Sequence, residues 1–394
     1  MSVAGKAIPL SVPEFGGNEW KYVKECLDTG WVSSVGPLVD RFERELAAYV
    51  GAAYSVAVVN GTAALHIALL VAGVEPEDEV LVSTLSFIAP ANAIRYVGAW
   101  PVFMDAEAHY WQMDPEKAID FLEKECCWRK GRLEDKVTKR RVRAIVPVHI
   151  LGHPCDMSPI VRAARKYNLV VIEDASESLG AKYKGKNVGR LGDIACFSFN
   201  GNKIITSGGG GMIVTDNEGW ARKARYLTTQ AKDDPVEFIH NEIGYNYRLT
   251  NIQAALGVAQ LERLDEFIEK KRVIAQVYRA ALSDLSGIAP MPSAPDVEPI
   301  YWLYTVLLSE RTTLERRKGV LRDLIEKGID ARPLWHTIHD LPPYRNSRAF
   351  RIENSPRLYE GAISLPSSVG ITEEQVRQCA LALQECAAKR FSTQ

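Results

Sequence analysis

The stretch Asp193-Ile-Ala-Cys-Phe-Ser-Phe-Asn-Gly-Asn-Lys203-Ile-Ile-Thr-Ser-Gly-Gly-Gly-Gly211 decides how this chain reads. An apolar run ends at the hydroxyl of Ser198. Turn residues follow, then one lysine, then a run of glycines. Upstream, Leu169-Val-Val-Ile-Glu-Asp174 has the pattern of a buried strand that ends in a carboxylate. Two such strands would carry Asp174, Ser198 and Lys203 to one edge of a sheet. Open α/β sheets gather their ligands at that edge.

Around this stretch, the first two-thirds of the chain alternates β-branched runs with helical patterns. Strands are expected over 55–59, 79–82, 101–104, 144–148, 169–172, 194–199 and 212–215. Helices are expected over 62–73, 87–97 and 157–167, with another opened by Asp114-Pro115. Near-continuous apolar strands between helices imply a mostly parallel sheet covered on both faces. After residue 215 the alternation stops. Residues 250–282 read as one long helix, and Ala289-Pro-Met-Pro-Ser-Ala-Pro295 as a linker. A strand over 304–308, a helix over 311–327 and a final helix from 372 complete a smaller α+β segment. The expected division is a large domain over 1–265 and a small one over 266–394, joined by the helix over 250–282.

The 394 residues are 46% apolar and 25% charged, with a formal charge of −1. That balance suits a soluble globular protein and gives no reason to expect nucleic acid or an anionic membrane as partner. No apolar stretch reaches the ~18 residues of a membrane span, and the N-terminus lacks the apolar core of a secretion signal. The cysteines, Cys26, Cys126, Cys127, Cys155, Cys196, Cys379 and Cys386, are odd in number, scattered and without a CxxC. They read as small apolar fillers in a reducing, cytoplasmic protein. Residues 123–143 hold nine Lys/Arg and four Asp/Glu. This segment reads as a solvated helix end and surface hairpin, with a phosphate clamp as the alternative.

A carboxylate at one strand end and a lysine after another is what pyridoxal phosphate (PLP) chemistry needs. The lysine forms a Schiff base with the aldehyde. The carboxylate keeps the pyridinium nitrogen protonated, which makes the ring an electron sink. Asn60-Gly-Thr-Ala63 sets a glycine and a hydroxyl at a strand-to-helix turn, where backbone N–H groups and the helix dipole face an anion. Alone, that turn reads equally as a plain N-cap. Ser198 lies close enough in sequence to reach the same phosphate. Phe87, just past a strand end, has the shape to stack on a flat ring or to fill the core. His149 and His153 have no third ligand beside them, so they read as loop histidines bonded to the backbone, and no metal is expected.

These motifs resemble the DegT/DnrJ/EryC1/StrS sugar aminotransferases, within the fold-type-I, aspartate aminotransferase-like PLP enzymes. The resemblance rests on Gly30-Trp-Val-Ser-Ser-Val-Gly-Pro37, Asn60 to Ala63 and Ser86-Phe-Ile-Ala-Pro-Ala-Asn-Ala93. It continues through Glu173-Asp-Ala-Ser-Glu-Ser-Leu-Gly180, Phe197 to Lys203 and Gly244-Tyr-Asn-Tyr-Arg-Leu-Thr250. It implies a large domain with a mostly parallel seven-stranded sheet between helices, and a smaller α+β C-terminal domain. It also implies roles. Lys203 would hold PLP and move protons, and Asp174 would pair with the ring nitrogen. Thr62, the Ala63 amide and Ser198 would hold the phosphate. Phe87 would stack on the ring, and Glu177 would lie near its hydroxyl. Asn246 would reach the cofactor phosphate of a neighbouring subunit, with Arg248 nearby in that neighbour's site and available to the amino-donor carboxylate or the nucleotide, which requires a homodimer with shared sites. His339 would approach the sugar nucleotide; the loop from Trp31 to Pro37 is itself polar and aromatic, suited to covering a sugar, with Ser33 and Ser34 as candidate hydroxyl partners. Relatives often carry Thr-Gly-Glu-Gly-Gly after the lysine. Here Ser207-Gly-Gly-Gly-Gly211 places Gly209 instead, a subgroup variation that leaves the chemistry intact.

Family dehydratases replace the lysine with histidine, so Lys203 favours transamination. L-Glutamate would load the cofactor as pyridoxamine phosphate, and a nucleotide-linked 4-keto-6-deoxy sugar would take the amine. The charged segment over 123–143 and the loop after Pro147 look most like the legionaminic-acid branch, implying a UDP-linked N-acetylhexosamine. The alternatives are amination at carbon 3 and a catalytically idle PLP-binding regulator. A plain dinucleotide binder is disfavoured, because no GxGxxG follows the first strand.

Overall fold

The computed structural model describes residues 7–234, 236–283, 287–309 and 312–391. Its centre is an eight-stranded sheet. The order across it is Tyr54–Val58, Gly211–Thr215, Ile194–Ser198, Val170–Asp174, Val142–Val146, Glu79–Ser83, Trp100–Met104 and Arg348–Phe350. Gly211–Thr215 is antiparallel to both of its neighbours, and the remaining pairs are parallel. In the strand Glu79–Ser83, Val80, Leu81 and Val82 are all fully buried, so neither face meets water. Burial of each such side chain contributes about 1.5–3 kcal/mol, which is why these runs are apolar throughout rather than alternating.

The seven strands expected from sequence are all present. The eighth, Arg348–Phe350, comes from far along the chain and pairs with Val102 to Met104. Three residues are too short to show a period. A second core surrounds the four-stranded antiparallel sheet of Ile288–Pro290, Tyr304–Leu308, Ala362–Leu365 and Arg332–Pro333. Tyr278, Leu324 and Leu383 of the helices Leu264–Leu282, Leu314–Glu326 and Glu373–Phe391 fill it. Ile8 joins this core through a parallel bridge to Ile329.

The single helix expected over 250–282 is two helices, Asn251–Leu261 and Leu264–Leu282. Thr250 and Gln253 form a reciprocal capping box at the first start. The interruption falls at Glu262, whose carboxylate accepts from Asn18 Nδ2 at 2.7 Å, Tyr22 Oη at 2.7 Å and Arg41 Nη2 at 2.9 Å. Asn18, at the start of the helix Glu19–Thr29, Tyr22 within it and Arg41 of the helix Pro37–Val50 together hold that residue, a tertiary constraint with no local signature. Residues 126–135 form the hairpin Cys126–Arg129 with Arg132–Asp135. Among the described residues no helix is long and apolar enough to cross a membrane.

Candidate active site

Parallel strands ending together leave their last residues at one rim. There the chain forms a cavity of about 400 Å³. Thr62, Phe87, Asp174, Glu177, Ser198 and Lys203 all line it. Asp174 closes the strand Val170–Asp174, and Ser198 closes the neighbouring Ile194–Ser198, so the sheet itself sets their spacing. Lys203 follows on the loop after Ser198, and its Nζ stands 3.5 Å from Glu177 Oε1. The other Glu177 oxygen accepts the Leu151 N–H at 2.8 Å. Asp174 Oδ1 accepts the Ser176 N–H at 3.1 Å.

Burial raises the carboxyls of both Asp174 and Glu177. Hydrogen bonds from Ser176 and the charge of Lys203 oppose this at Asp174. At Glu177 the charge of Lys203 and the Leu151 N–H oppose it. A cation facing such carboxylates would favour their ionised forms.

The turn over Asn60 to Ala63 opens the helix Gly61–Val71 against Ser198. A Cβ on Gly61 would lie 2.8 Å from Ser198 Cβ, so only glycine lets the turn approach this closely. The Ala63 N–H, expected at a phosphate, donates instead to Asn60 Oδ1 at 2.8 Å. The helix start still presents Gly61 and Thr62 to the cavity. Phe87 is 56% exposed, which leaves a ring face open to the cavity rather than packed in the core.

Other expected residues lie elsewhere. Asn246 and Arg248 bridge to Thr229 and Val58 and do not line this cavity. His339 binds Thr84 Oγ1 through Nδ1 at 2.7 Å and lines a separate surface pocket with His336 and Arg345. Asn251 holds the loop of Trp31, Ser33 and Ser34, donating from Nδ2 to Trp31 O at 2.8 Å and from its N–H to Ser33 O at 2.6 Å. That loop also lies outside the cavity wall. His153 is bonded to the backbone on both sides, to Pro154 O and the Ala294 N–H. His149 is not: Nδ1 accepts the Cys155 N–H, and Nε2 donates to Glu173 Oε2 at 3.1 Å.

Sequence reasoning missed two wall residues, Trp302 and Trp335. Their rings are parallel within 5°, with centroids 6.5 Å apart. The Lys203 ammonium lies 4.0 Å from the Trp302 ring centroid. Nothing near Trp302 in sequence signals this, because it is brought in by folding from about a hundred residues beyond Lys203.

The donor set fits PLP. A lysine is available for the aldehyde, a buried carboxylate for the ring nitrogen, an exposed aromatic face for the ring, and a helix N-terminus with two hydroxyls for the phosphate. Such a site at the rim of a sheet of this order defines a fold-type-I, PLP-dependent aminotransferase. The model of the DegT/DnrJ/EryC1/StrS aminotransferase family matches residues 13–384, and the chain belongs to that family of sugar aminotransferases. It is 41% identical over 379 residues to GDP-perosamine synthase of Caulobacter vibrioides, covering 96% of this chain and 98% of that one. It is 40% identical over 374 residues to the putative pyridoxal phosphate-dependent aminotransferase EpsN of Bacillus subtilis, covering 94% and 93%. Helicobacter pylori PseC, an aminotransferase involved in the biosynthesis of pseudoaminic acid, superposes with a TM-score of 0.87 at 25% identity. That match covers 98% of this chain and all of PseC.

Proposed function

We propose that this protein moves an amino group from L-glutamate to the 4-keto carbon of a nucleotide-linked 4-keto-6-deoxy sugar, for surface-glycan biosynthesis. The observation that carries the transfer is Lys203. It is the one lysine lining the cavity among the described residues, and it shares that cavity with Asp174 and Glu177. Bound PLP would supply the electron sink for loss of the α-proton. Lys203 would take and return that proton as general base and acid. Asp174 would hold the ring-nitrogen proton, and Glu177 would orient Lys203 and the ring hydroxyl. Thr62, Ser198 and the start of the helix Gly61–Val71 would hold the phosphate, with Phe87 against the ring.

The position of amination and the nucleotide are read from relatives. GDP-perosamine synthase, a 4-aminotransferase, is the name of several of them, which supports a GDP-linked sugar. The UDP-linked N-acetyl sugar of the legionaminic-acid branch is the second reading, favoured by the hairpin over 126–135. Supplying glutamate with GDP- and UDP-linked 4-keto-6-deoxy sugars in parallel separates them, with product NMR to locate the amine. A 3-amino product, or no turnover at full PLP loading, contradicts the proposal.

A homodimer completes the site in this reading. Asn246 and Arg248 lie outside the cavity of their own chain, where they can serve a neighbour. The segment before them exposes Phe238 at 65% and Ile243 at 85%, apolar surface that a second copy would cover. Trp31, Ser33, Ser34 and His339 would then meet the sugar nucleotide at the rim.

A further inference from the structure

Lys271 is fully buried on the helix Leu264–Leu282, yet it takes no part in the chemistry above. Among the described residues its ammonium partners are two main-chain carbonyls, Trp302 O at 2.7 Å and Ser367 O. A buried ammonium without a carboxylate is costly, and an apolar residue of the same length would remove that cost only by leaving both carbonyls without this donor. What the lysine secures is the main chain at Trp302.

Trp302 is held on every side. Its N–H donates to Leu151 O at 3.1 Å, and its carbonyl accepts Lys271 Nζ. Its indole Nε1 donates to Asn202 O at 2.7 Å, on the residue just before Lys203. Its ring then lies against the Lys203 ammonium at 4.0 Å. The backbone around it sits in the left-handed region at two non-glycine residues, Tyr301 at φ 49° and Leu151 at φ 60°. Such conformations persist only where surrounding contacts over-determine them. Leu151 also donates its N–H to Glu177, the carboxylate facing Lys203. One strained turn therefore supports both the anionic and the aromatic neighbour of the lysine.

We propose that Trp302 is the positioning residue that aims Lys203, and that buried Lys271 acts through it by fixing its main chain. The inference rests on the reading of Lys203 as the reacting lysine. Trp302 walls the ammonium at 4.0 Å, and Glu177 faces it with its charge at 3.5 Å. Without the wall, the lysine gains rotamers that point away from the reacting carbon, and misaimed reacting groups lose rate steeply.

The test compares Lys271→Met, Trp302→Leu, Trp302→Phe and the double variant Lys271→Met/Trp302→Leu. All are checked for folding by circular dichroism and for PLP content by absorbance. In the holoenzyme, the single-turnover rate with L-glutamate should fall roughly ten- to hundred-fold in Lys271→Met and Trp302→Leu. Glutamate affinity should stay within about three-fold. Trp302→Phe, which keeps an aromatic wall, should recover part of the rate. The double variant should be no slower than Trp302→Leu alone, because the two residues act in series. In the apo-protein, acrylamide quenching assigned to Trp302 by difference from Trp302→Phe should rise in Lys271→Met. A wild-type rate in Trp302→Leu overturns the proposal. Multiplicative losses in the double variant, or unchanged quenching and rate in Lys271→Met, overturn the part played by Lys271. If Lys271→Met does not fold, the two Trp302 variants decide the matter by the same rate and affinity split. Lys203→Ala is the separate control. Full glutamate turnover there refutes the reading of Lys203, however the Trp302 variants score.

Discussion

Lys203 Nζ and Glu177 Oε1 face each other at 3.5 Å in a cavity that leaves their side chains 13% and 7% exposed. The pair is shielded enough for its charge to matter and open enough to admit a substrate. Glu177→Gln keeps an acceptor for the Leu151 N–H while removing the charge opposite Lys203. We expect kcat to fall about ten-fold with little change in melting temperature. Glu177→Ala also strands that N–H and should lose about 1–3 kcal/mol of stability. Steady-state kinetics beside thermal melts of both variants checks this.

Lys271 predicts a pH dependence of stability. Burial pushes its ammonium down from the ordinary 10.5 to about 7. Between those values the unfolded chain binds a proton that the folded chain does not, so this group's contribution to stability rises with pH across that window. Below pH 7 both states are protonated and the folded protein bears the full cost. Lys271→Met strands the Trp302 and Ser367 carbonyls at every pH, so its stability relative to wild type should be most favourable at or below pH 7 and should decline toward pH 10.5. Urea midpoints of both proteins across that range measure it. A pH-independent difference contradicts the assignment.

Gly61 sits where a Cβ would press on Ser198, at the turn assigned to the phosphate. Gly61→Ala should raise the PLP dissociation constant by about ten-fold, or ~1.4 kcal/mol. The rest of the fold should stay intact. Absorbance titration of the apo-protein with PLP reads this directly. Unchanged affinity would place the phosphate elsewhere.

The proposed sharing of active sites between two subunits is tested by complementation. Lys203→Ala and Arg248→Ala subunits should each be nearly inactive alone. Unfolding and refolding them together should restore about a quarter of wild-type activity, since half the dimers are mixed and each mixed dimer holds one intact site. No recovery would mean that Arg248 serves its own chain.

Much of this molecule is legible in its sequence, because the strands that build the site are continuous apolar runs and their polar ends are chemically distinctive. The helix Met157–Tyr167 and the strand Tyr304–Leu308 fall where their patterns place them. What escapes the sequence depends on distant partners. The break at Glu262 is set by Asn18, Tyr22 and Arg41, more than two hundred residues away. The strand Arg348–Phe350 exists because Trp100–Met104 offers a free edge. Trp302 reads locally as an ordinary aromatic beside a strand, and only the fold brings it against Lys203. Ala63 shows a local ambiguity: a turn whose pattern suits an anion equally suits a self-cap, and Asn60 takes that amide.

Amino transfer in the proposed mechanism rests on Lys203. The visible absorbance of the PLP-loaded protein, wild type beside Lys203→Ala, before and after adding L-glutamate, tests that role. The wild type should show a lysine-dependent band that glutamate converts to the pyridoxamine phosphate spectrum. Lys203→Ala should lack that band and convert more slowly by at least about a thousand-fold. A band that survives in Lys203→Ala and converts with glutamate at the wild-type rate would contradict that role.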